Sequence, residues 1–439
     1  GDPGSGAKRM PEEPAMAKKK VADLALMGGV PRFERPLHVG QPNVGDRARL
    51  HERLDAILDR RWLTNHGPEV IELERRLTAL LGVRHCIAVC NGTVALEIAI
   101  RALGLQGEVI VPSFTFVATA HALQWQEITP VFCDVDAETH TLDPVRVEQM
   151  ISSRTTGILG VHLWGRACDV EGLSEIARRH RLALLFDAAH ALGVSRRGRM
   201  IGNFGDCEVF SFHATKVFNT FEGGAIATND DALAQKIRWM QNFGFSNYDQ
   251  VDHIGVNGKM SEICAAMGLV SLESLDDFVA VNSRNHARYV ERLSRLPGLR
   301  LLTYDQAERH NHHYVVAEVL PEAGLDRDAL VDVLMAERVL ARRYFYPGVH
   351  RMEPYASLYP NAGLLLPVTE ALVERTLVLP TGTGVSFEEL DAVCEIIEVA
   401  LSGAAAIRAR RSARPVSLAG RNARPMLAPV RPRRAGGAR

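Results

Sequence analysis

The chain has 439 residues, 46% of them hydrophobic, enough to bury a large core in one large domain plus a smaller one. Its 51 lysines and arginines face 52 aspartates and glutamates, and a net charge of -1 gives no field that draws nucleic acid or an anionic membrane. No apolar run is long enough to span a bilayer, no apolar stretch follows the basic N-terminus as in a secretory signal, and seven scattered cysteines without a Cys-x-x-Cys pair point to a reducing, cytoplasmic setting without a metal site.

Residues 1–27 are polar and rich in Pro and Lys, the composition of a flexible N-terminal segment. From about Asp46 a helix presents Leu50, Leu54, Ile57 and Leu58 on one face; a second opens at Gly67-Pro68 and ends before Gly82. A strand over 85–90 leads through Asn91-Gly92-Thr93 into a helix stopped by Gly104. Apolar runs at 108–112, 129–135, 157–164 and 182–189 alternate with helical stretches, as the strands of a buried, mainly parallel sheet do. Two close strands, 207–213 and 224–229, follow without a long helix between them. Beyond about Lys259 the pattern turns helical. Runs at 314–319 and 341–347 then read as strands of a smaller domain, whose last helix starts at the capping box Ser386-Phe-Glu-Glu389. The predicted organisation is α/β, with a large mainly parallel-sheet domain over 28–280 and a small C-terminal α+β domain over 281–402. Residues 403–439 form an Arg/Pro/Ala-rich tail with little to bury, expected to be disordered.

Four places along this pattern carry chemistry. Lys216, in Ser211-Phe-His-Ala-Thr-Lys216, follows a buried strand, where its amine can form a Schiff base with an aldehyde cofactor; a lone lysine there is otherwise a surface residue. Asp187, in Phe186-Asp187-Ala-Ala-His190, ends another strand and can hold the proton of a pyridinium nitrogen, with His190 beside the ring's phenolic oxygen. An aspartate at a strand end is also a common turn or cap residue. Asn91-Gly92-Thr93 precedes a helix, whose N-terminus and the Thr93 hydroxyl suit a phosphate, although the same triplet makes an ordinary turn. Phe116, in Pro112-Ser-Phe-Thr-Phe116, can stack on a cofactor ring or fill a core. All four fall at or just past the C-terminal ends of strands, where an open α/β sheet binds its ligand.

In this order, the motifs Asn91-Gly-Thr, Pro112-Ser-Phe-Thr-Phe116, Asp187-Ala-Ala-His190, Ser211-Phe-His-Ala-Thr-Lys216 and Glu222-Gly-Gly resemble the DegT/StrS family of nucleotide-sugar aminotransferases, over nearly all of residues 28 to 400. The resemblance implies the fold type I aspartate-aminotransferase architecture and pyridoxal 5'-phosphate (PLP) as cofactor. It implies that Lys216 carries the cofactor and moves the proton, that Asp187 binds the pyridine nitrogen, and that His190 lies on its phenolic side. Phe116 would stack on the ring, and Gly92, Thr93 and Ser211 would hold the phosphate. Asn257 would reach the phosphate of the neighbouring subunit, which implies a homodimer with shared active sites. The related sugar dehydrases carry histidine where Lys216 stands, which argues against them.

Residues 211–226, 257–269 and 342–355 are most similar to members acting on C4 of dTDP-4-keto-6-deoxyglucose, with L-glutamate as donor. A 3-keto sugar in the same fold is the nearest alternative. Tyr344, Tyr346, His350 and Arg351 can line the sugar-nucleotide site; an aromatic strand and its turn reads equally well. A PLP-binding regulator would carry a DNA-binding module or lack a catalytic group, and a desulfurase-like enzyme would carry a cysteine in a mobile loop; the sequence has no sign of either.

Overall fold

The computed structural model describes residues 17–413. Asp46 caps α1 (Arg47–Arg60) by accepting from the N–H groups of Ala48 and Arg49, and Pro68 stands at the first position of α2 (Pro68–Leu81). Seven strands build the large sheet: β1 (His85–Val89), β2 (Glu108–Pro112), β3 (Thr129–Cys133), β4 (Thr155–Val161), β5 (Ala183–Asp187), β6 (Cys207–Ser211) and β7 (Gly224–Thr228). Their spatial order is β1-β7-β6-β5-β4-β2-β3. Only β7 runs antiparallel to its neighbours, β1 and β6. Helices cover both faces, so Val109, Ile110, Val111, Ile158, Leu159, Leu185 and Phe186 are buried on whichever side they point. That is why these strands read as unbroken apolar runs.

Between β1 and β2 runs α3 (Gly92–Ala102), capped by the Asn91 side chain, which accepts from Val94 N–H. After the large sheet, α4 (Glu262–Glu273) and α5 (Leu275–Leu293) lead into a second unit. It holds a three-stranded antiparallel sheet of β8 (Leu299–Leu301), β9 (Val315–Val319) and β10 (Thr376–Leu379), and helices α6 (Arg327–Ala336), α7 (Phe387–Ser402) and α8 (Ala404–Ser412). The capping box at the start of α7 forms as its spacing predicts, Ser386 and Glu389 each accepting from the other's backbone N–H. No helix among the described residues is long and apolar enough to cross a membrane.

Three expectations are corrected. First, the N-terminal segment does not stay apart up to residue 27, nor does residue 28 begin the large domain. Leu24, Phe33 and Leu37 insert into the small domain's core beside Leu330, Leu334 and Ile407, and Leu37-His38 pairs in parallel with Val339-Leu340. Lys18 is buried against Glu337, its ammonium also donating to the carbonyls of Asp23 and Val30. Few apolar residues lie in this stretch, but they sit where the small core is open. Second, the ordered chain does not end at Ser402: α8 buries Ile407 and pairs Arg411 with Asp326 and Asp332. Residues 1–16 and 414–439, where flexible ends were expected, lie outside the described residues. Third, 341–347 is no strand. Arg342 makes one isolated bridge to Val378, and the chain then turns at Tyr346-Pro347, since proline cannot donate to a ladder.

Candidate active site

The C-terminal ends of β1, β2, β4, β5 and β6 open onto one cavity of about 610 Å³. Because β7 is antiparallel, it enters the same rim through Glu222-Gly223-Gly224. The rim is tight. A Cβ at Gly92 would lie 2.9 Å from the Ser211 Cβ, and one at Gly224 would lie 2.8 Å from the carbonyl carbon of Asn91. Glycine at these two positions lets the first turn of α3, the end of β6 and the start of β7 meet. The first backbone N–H groups of a helix have no partner within it, so the N-terminus of α3 leaves donors at the cavity wall, next to the Thr93 and Ser211 hydroxyls.

Lys216 lies in a loop pinned on both sides. Phe212 and Phe218 are fully buried edge-to-face, with ring centres 4.7 Å apart. Thr220 N–H returns to the Phe212 carbonyl, and Asn43 donates to the carbonyl of Val217. The lysine side chain is half-buried and faces the cavity. The walls desolvate its amine enough to lower its pKa to about 8, against the opposing pull of Asp187.

Asp187, at the last position of β5, is 6% exposed. Burial raises its pKa. The Ala189 N–H, 3.0 Å from Oδ1, the Thr119 hydroxyl, 2.9 Å from Oδ2, and the charge of Lys216 oppose that rise. His190 is buried against Trp164, whose ring plane lies 24° from its own, and against Tyr314, 4.5 Å away. Burial and the Lys216 charge push its pKa well below the ordinary histidine value, so the ring is neutral. Its Nδ1 accepts from the backbone N–H of Trp164 at 3.3 Å. The proton therefore sits on Nε2, which is left as a donor.

The structure brings Lys216, Asp187, His190, Gly92, Thr93, Phe116 and Ser211 to this one cavity. Phe116 is 58% exposed, a large apolar face left uncovered at the wall. Of the four small-domain residues, only Tyr344 lines the cavity. Tyr346 turns away beneath the guanidinium groups of Arg343 and Arg327. His350 is buried between Ser113 and Glu370, at 2.7 Å from each, and Arg351 pairs with Glu370. Asn257 is exposed and does not line the cavity of its own chain. Sequence reasoning gave no role to Thr115, His213 and Glu222, although they stand in the motifs, and it missed Tyr314 on the wall and Thr119 behind Asp187.

Residues 45–398 match the sequence model of the DegT/DnrJ/EryC1/StrS aminotransferase family. The chain is 37% identical over 367 residues to the dTDP-4-amino-4,6-dideoxy-D-glucose transaminase of Shigella dysenteriae, covering 83% of this chain and 99% of that protein. It is 32% identical over 365 residues to the dTDP-3-amino-3,6-dideoxy-alpha-D-galactopyranose transaminase of Aneurinibacillus thermoaerophilus, covering 82% of this chain and 98% of that one. Among solved structures, DesI in the presence of its TDP-sugar product is similar with a TM-score of 0.84 and 46% identity, over 89% of this chain and 100% of DesI.

Proposed function

The chain belongs to the DegT/DnrJ/EryC1/StrS aminotransferase family, and from that premise we propose that it moves the amino group of L-glutamate onto the C4 keto group of dTDP-4-keto-6-deoxyglucose, giving dTDP-4-amino-4,6-dideoxyglucose. Its cofactor is PLP. One observation carries the reading: an amine drawn down to about pKa 8 shares a cavity with a buried carboxylate and a neutral imidazole, beside a glycine-lined helix N-terminus. That donor set fits the group. The α3 N-terminus, Thr93 and Ser211 suit a phosphate; Asp187 suits a ring N–H; His190, with its proton on Nε2, suits a phenolate oxygen; Phe116 offers a face to the ring.

PLP, when bound, supplies the carbonyl that links to Lys216 and the electron sink that makes an α-proton acidic. The chain's residues do the rest. With its amine free, Lys216 is neutral in useful proportion near pH 7. It could therefore take a proton from the donor's α-carbon and return it two atoms along, to the carbon on the far side of the nitrogen. Asp187 holds the ring proton, and its fixed hydrogen bonds keep it from turning away. His190 has no charge to compete with that proton. The aromatic wall of Tyr314, Phe345 and Trp164 behind His190 keeps water from that side.

One comparison supports the C4 reading. The Shigella relative, named for a 4-amino dTDP sugar, matches at higher identity than the relative named for a 3-amino one. We further infer a cytoplasmic homodimer with shared sites. Asn257 follows a segment with exposed Phe243, Phe245, Tyr248 and Ile254, more apolar surface than a lone loop needs. A second subunit there would cover it and bring Asn257 to the neighbouring cavity.

The test is an absorbance titration with PLP, then L-glutamate, then the keto sugar, on the wild type and Lys216→Ala. The visible band of the loaded protein is expected to give way to a near-ultraviolet band with glutamate and to return with the sugar, with product NMR placing nitrogen at C4. Lys216→Ala is expected to lose at least about 10³-fold in turnover. A band that ignores the sugar refutes the substrate; nitrogen found at C3 assigns the other regiochemistry; no visible band refutes the role of Lys216.

A further inference from the structure

Asp187 is not held by its strand alone. Its Oδ2 accepts from Thr119 Oγ1 at 2.9 Å, and Thr119 Oγ1 lies 3.1 Å from Thr115 Oγ1. Thr119 is fully buried and Thr115 is 1% exposed. An ionised carboxylate only accepts hydrogen bonds, so the Thr119 proton points to Asp187. Thr119 cannot donate twice, so the Thr115 proton points to Thr119. The chain of donors therefore has one direction, from the cavity wall at Thr115 inward to the carboxylate. Thr119 stands in the first turn of a short helix (Ala118–Gln124) and Thr115 in the bend that leads into it, and the chain's turn between them brings the two hydroxyls into contact.

We propose that Thr119, oriented by Thr115, is a positioning residue for the amino-transfer reaction: it fixes which way the Asp187 carboxylate faces and holds it as the anion that keeps a ring proton in place. This rests on the reading that Asp187 meets the cofactor's ring nitrogen. Each carboxylate oxygen already has one protein donor, Thr119 on Oδ2 and the Ala189 N–H on Oδ1, and each retains capacity to accept one more. With both oxygens tethered, the carboxylate cannot rotate without breaking a hydrogen bond. The other groups facing it are Lys216 across the cavity and His162 after β4, the latter 3.3 Å from Glu208 of β6. His190 lines the same cavity and is neutral. None of these donates a hydrogen bond to the carboxylate, so Thr119 supplies the only side-chain donor to it among the described residues.

The experiment compares the holoenzymes of wild type, Thr119→Val, Thr119→Ser and Asp187→Asn, reading the pH midpoint of the cofactor's visible band and the cofactor dissociation constant. Valine keeps the shape and removes the donor. Losing a donor to a buried anion is expected to move the midpoint up by about one pH unit and weaken cofactor binding roughly tenfold, because less positive charge then stays on the ring beside the Lys216 nitrogen. Serine restores the donor and is expected to return the midpoint to within about 0.2 units of wild type. A packing role alone would not give this pattern, since serine loses the methyl that valine keeps. If valine matches wild type while asparagine shifts, Thr119 does not position Asp187, and the reading of Asp187 stands. If asparagine also matches wild type, Asp187 does not meet the ring, and both fall. Should Thr119→Val not accumulate as folded holoenzyme, Thr119→Ala against Thr119→Ser decides by the same two outcomes.

Discussion

The loop after β6 and the segment 344–351 both bury groups that can gain or lose a proton, and they leave them in opposite conditions. Around Lys216, burial is incompletely compensated: one carboxylate acts on the amine across an open cavity, and its pKa falls to about 8. Around His350 nothing is left over. Its Nδ1 meets the Ser113 hydroxyl, its Nε2 meets Glu370, and its own N–H donates to Ser113 Oγ at 3.0 Å. The trio of serine, histidine and carboxylate has the composition of a hydrolytic triad, yet Ser113 is fully buried and does not line the cavity that holds Lys216. It joins the loop after β2 to the small domain. Burial that leaves a group short of partners prepares chemistry; burial that satisfies every group holds structure.

The largest effect expected from this contrast is kinetic. Only the neutral amine attacks an aldehyde. At pH 7 an amine with pKa about 8 is roughly 300-fold more often neutral than one at the ordinary lysine value of 10.5. Uptake of PLP by the cofactor-free protein is therefore expected to rise about tenfold from pH 6 to pH 7 and to level off a little above pH 8. Stopped-flow absorbance measures it. A rate that keeps climbing tenfold per unit past pH 9 would mean that the cavity does not desolvate Lys216.

A smaller effect is expected on the other side. Ser113→Ala leaves two buried groups of His350, Nδ1 and the backbone N–H, without their partner, at a cost of about 1–3 kcal/mol. The denaturant midpoint should fall accordingly, while turnover per folded molecule stays within about threefold of wild type. Loss of turnover without loss of stability would make this trio part of the reaction and erase the distinction.

The sequence made the first region legible and the second not, for physical reasons. A parallel sheet leaves no choice about where its strand ends point, so Asp187, Ser211, Gly92 and Phe116 converge once the strands are recognised. Glycine at 92 and 224 is explained only by the structure, where a Cβ would meet a neighbour at 2.9 or 2.8 Å. Small-domain side chains have no such constraint. The segment 341–347 reads as a strand because it is aromatic, but strand preference reflects a pleated, half-buried surface, and here Phe345 stacks on Trp164 at 5.1 Å instead. The N-terminal residues through Leu37 failed differently. Up to residue 27 their composition is that of a tail, and from residue 28 they read as the start of the large domain; only the gap they fill in the small core gives Leu24 and Phe33 a place. Thr119 reads as an ordinary helical threonine, because nothing in its local sequence says that a carboxylate from another strand lies 2.9 Å away.

The smallest effect sharpens the comparison most. Tyr344, Tyr346, His350 and Arg351 lie within eight residues of one another, and periodicity alone treats them alike. Geometry separates Tyr344, on the cavity wall, from Tyr346 under two guanidinium groups and Arg351 on Glu370. Trimming Tyr344 to alanine is expected to raise the KM for the sugar roughly tenfold, a loss typical of a large contact at a binding site. Tyr346→Ala and Arg351→Ala each break only a surface or rim interaction and are expected to leave KM and kcat within about twofold. Steady-state kinetics with the keto sugar distinguishes the two sets. A tenfold rise in KM for Arg351→Ala would mean that the segment closes over the nucleotide, or that Arg351 serves the neighbouring subunit's cavity. In either case the boundary between reactive and structural regions would run through α-carbons seven residues further along than Tyr344.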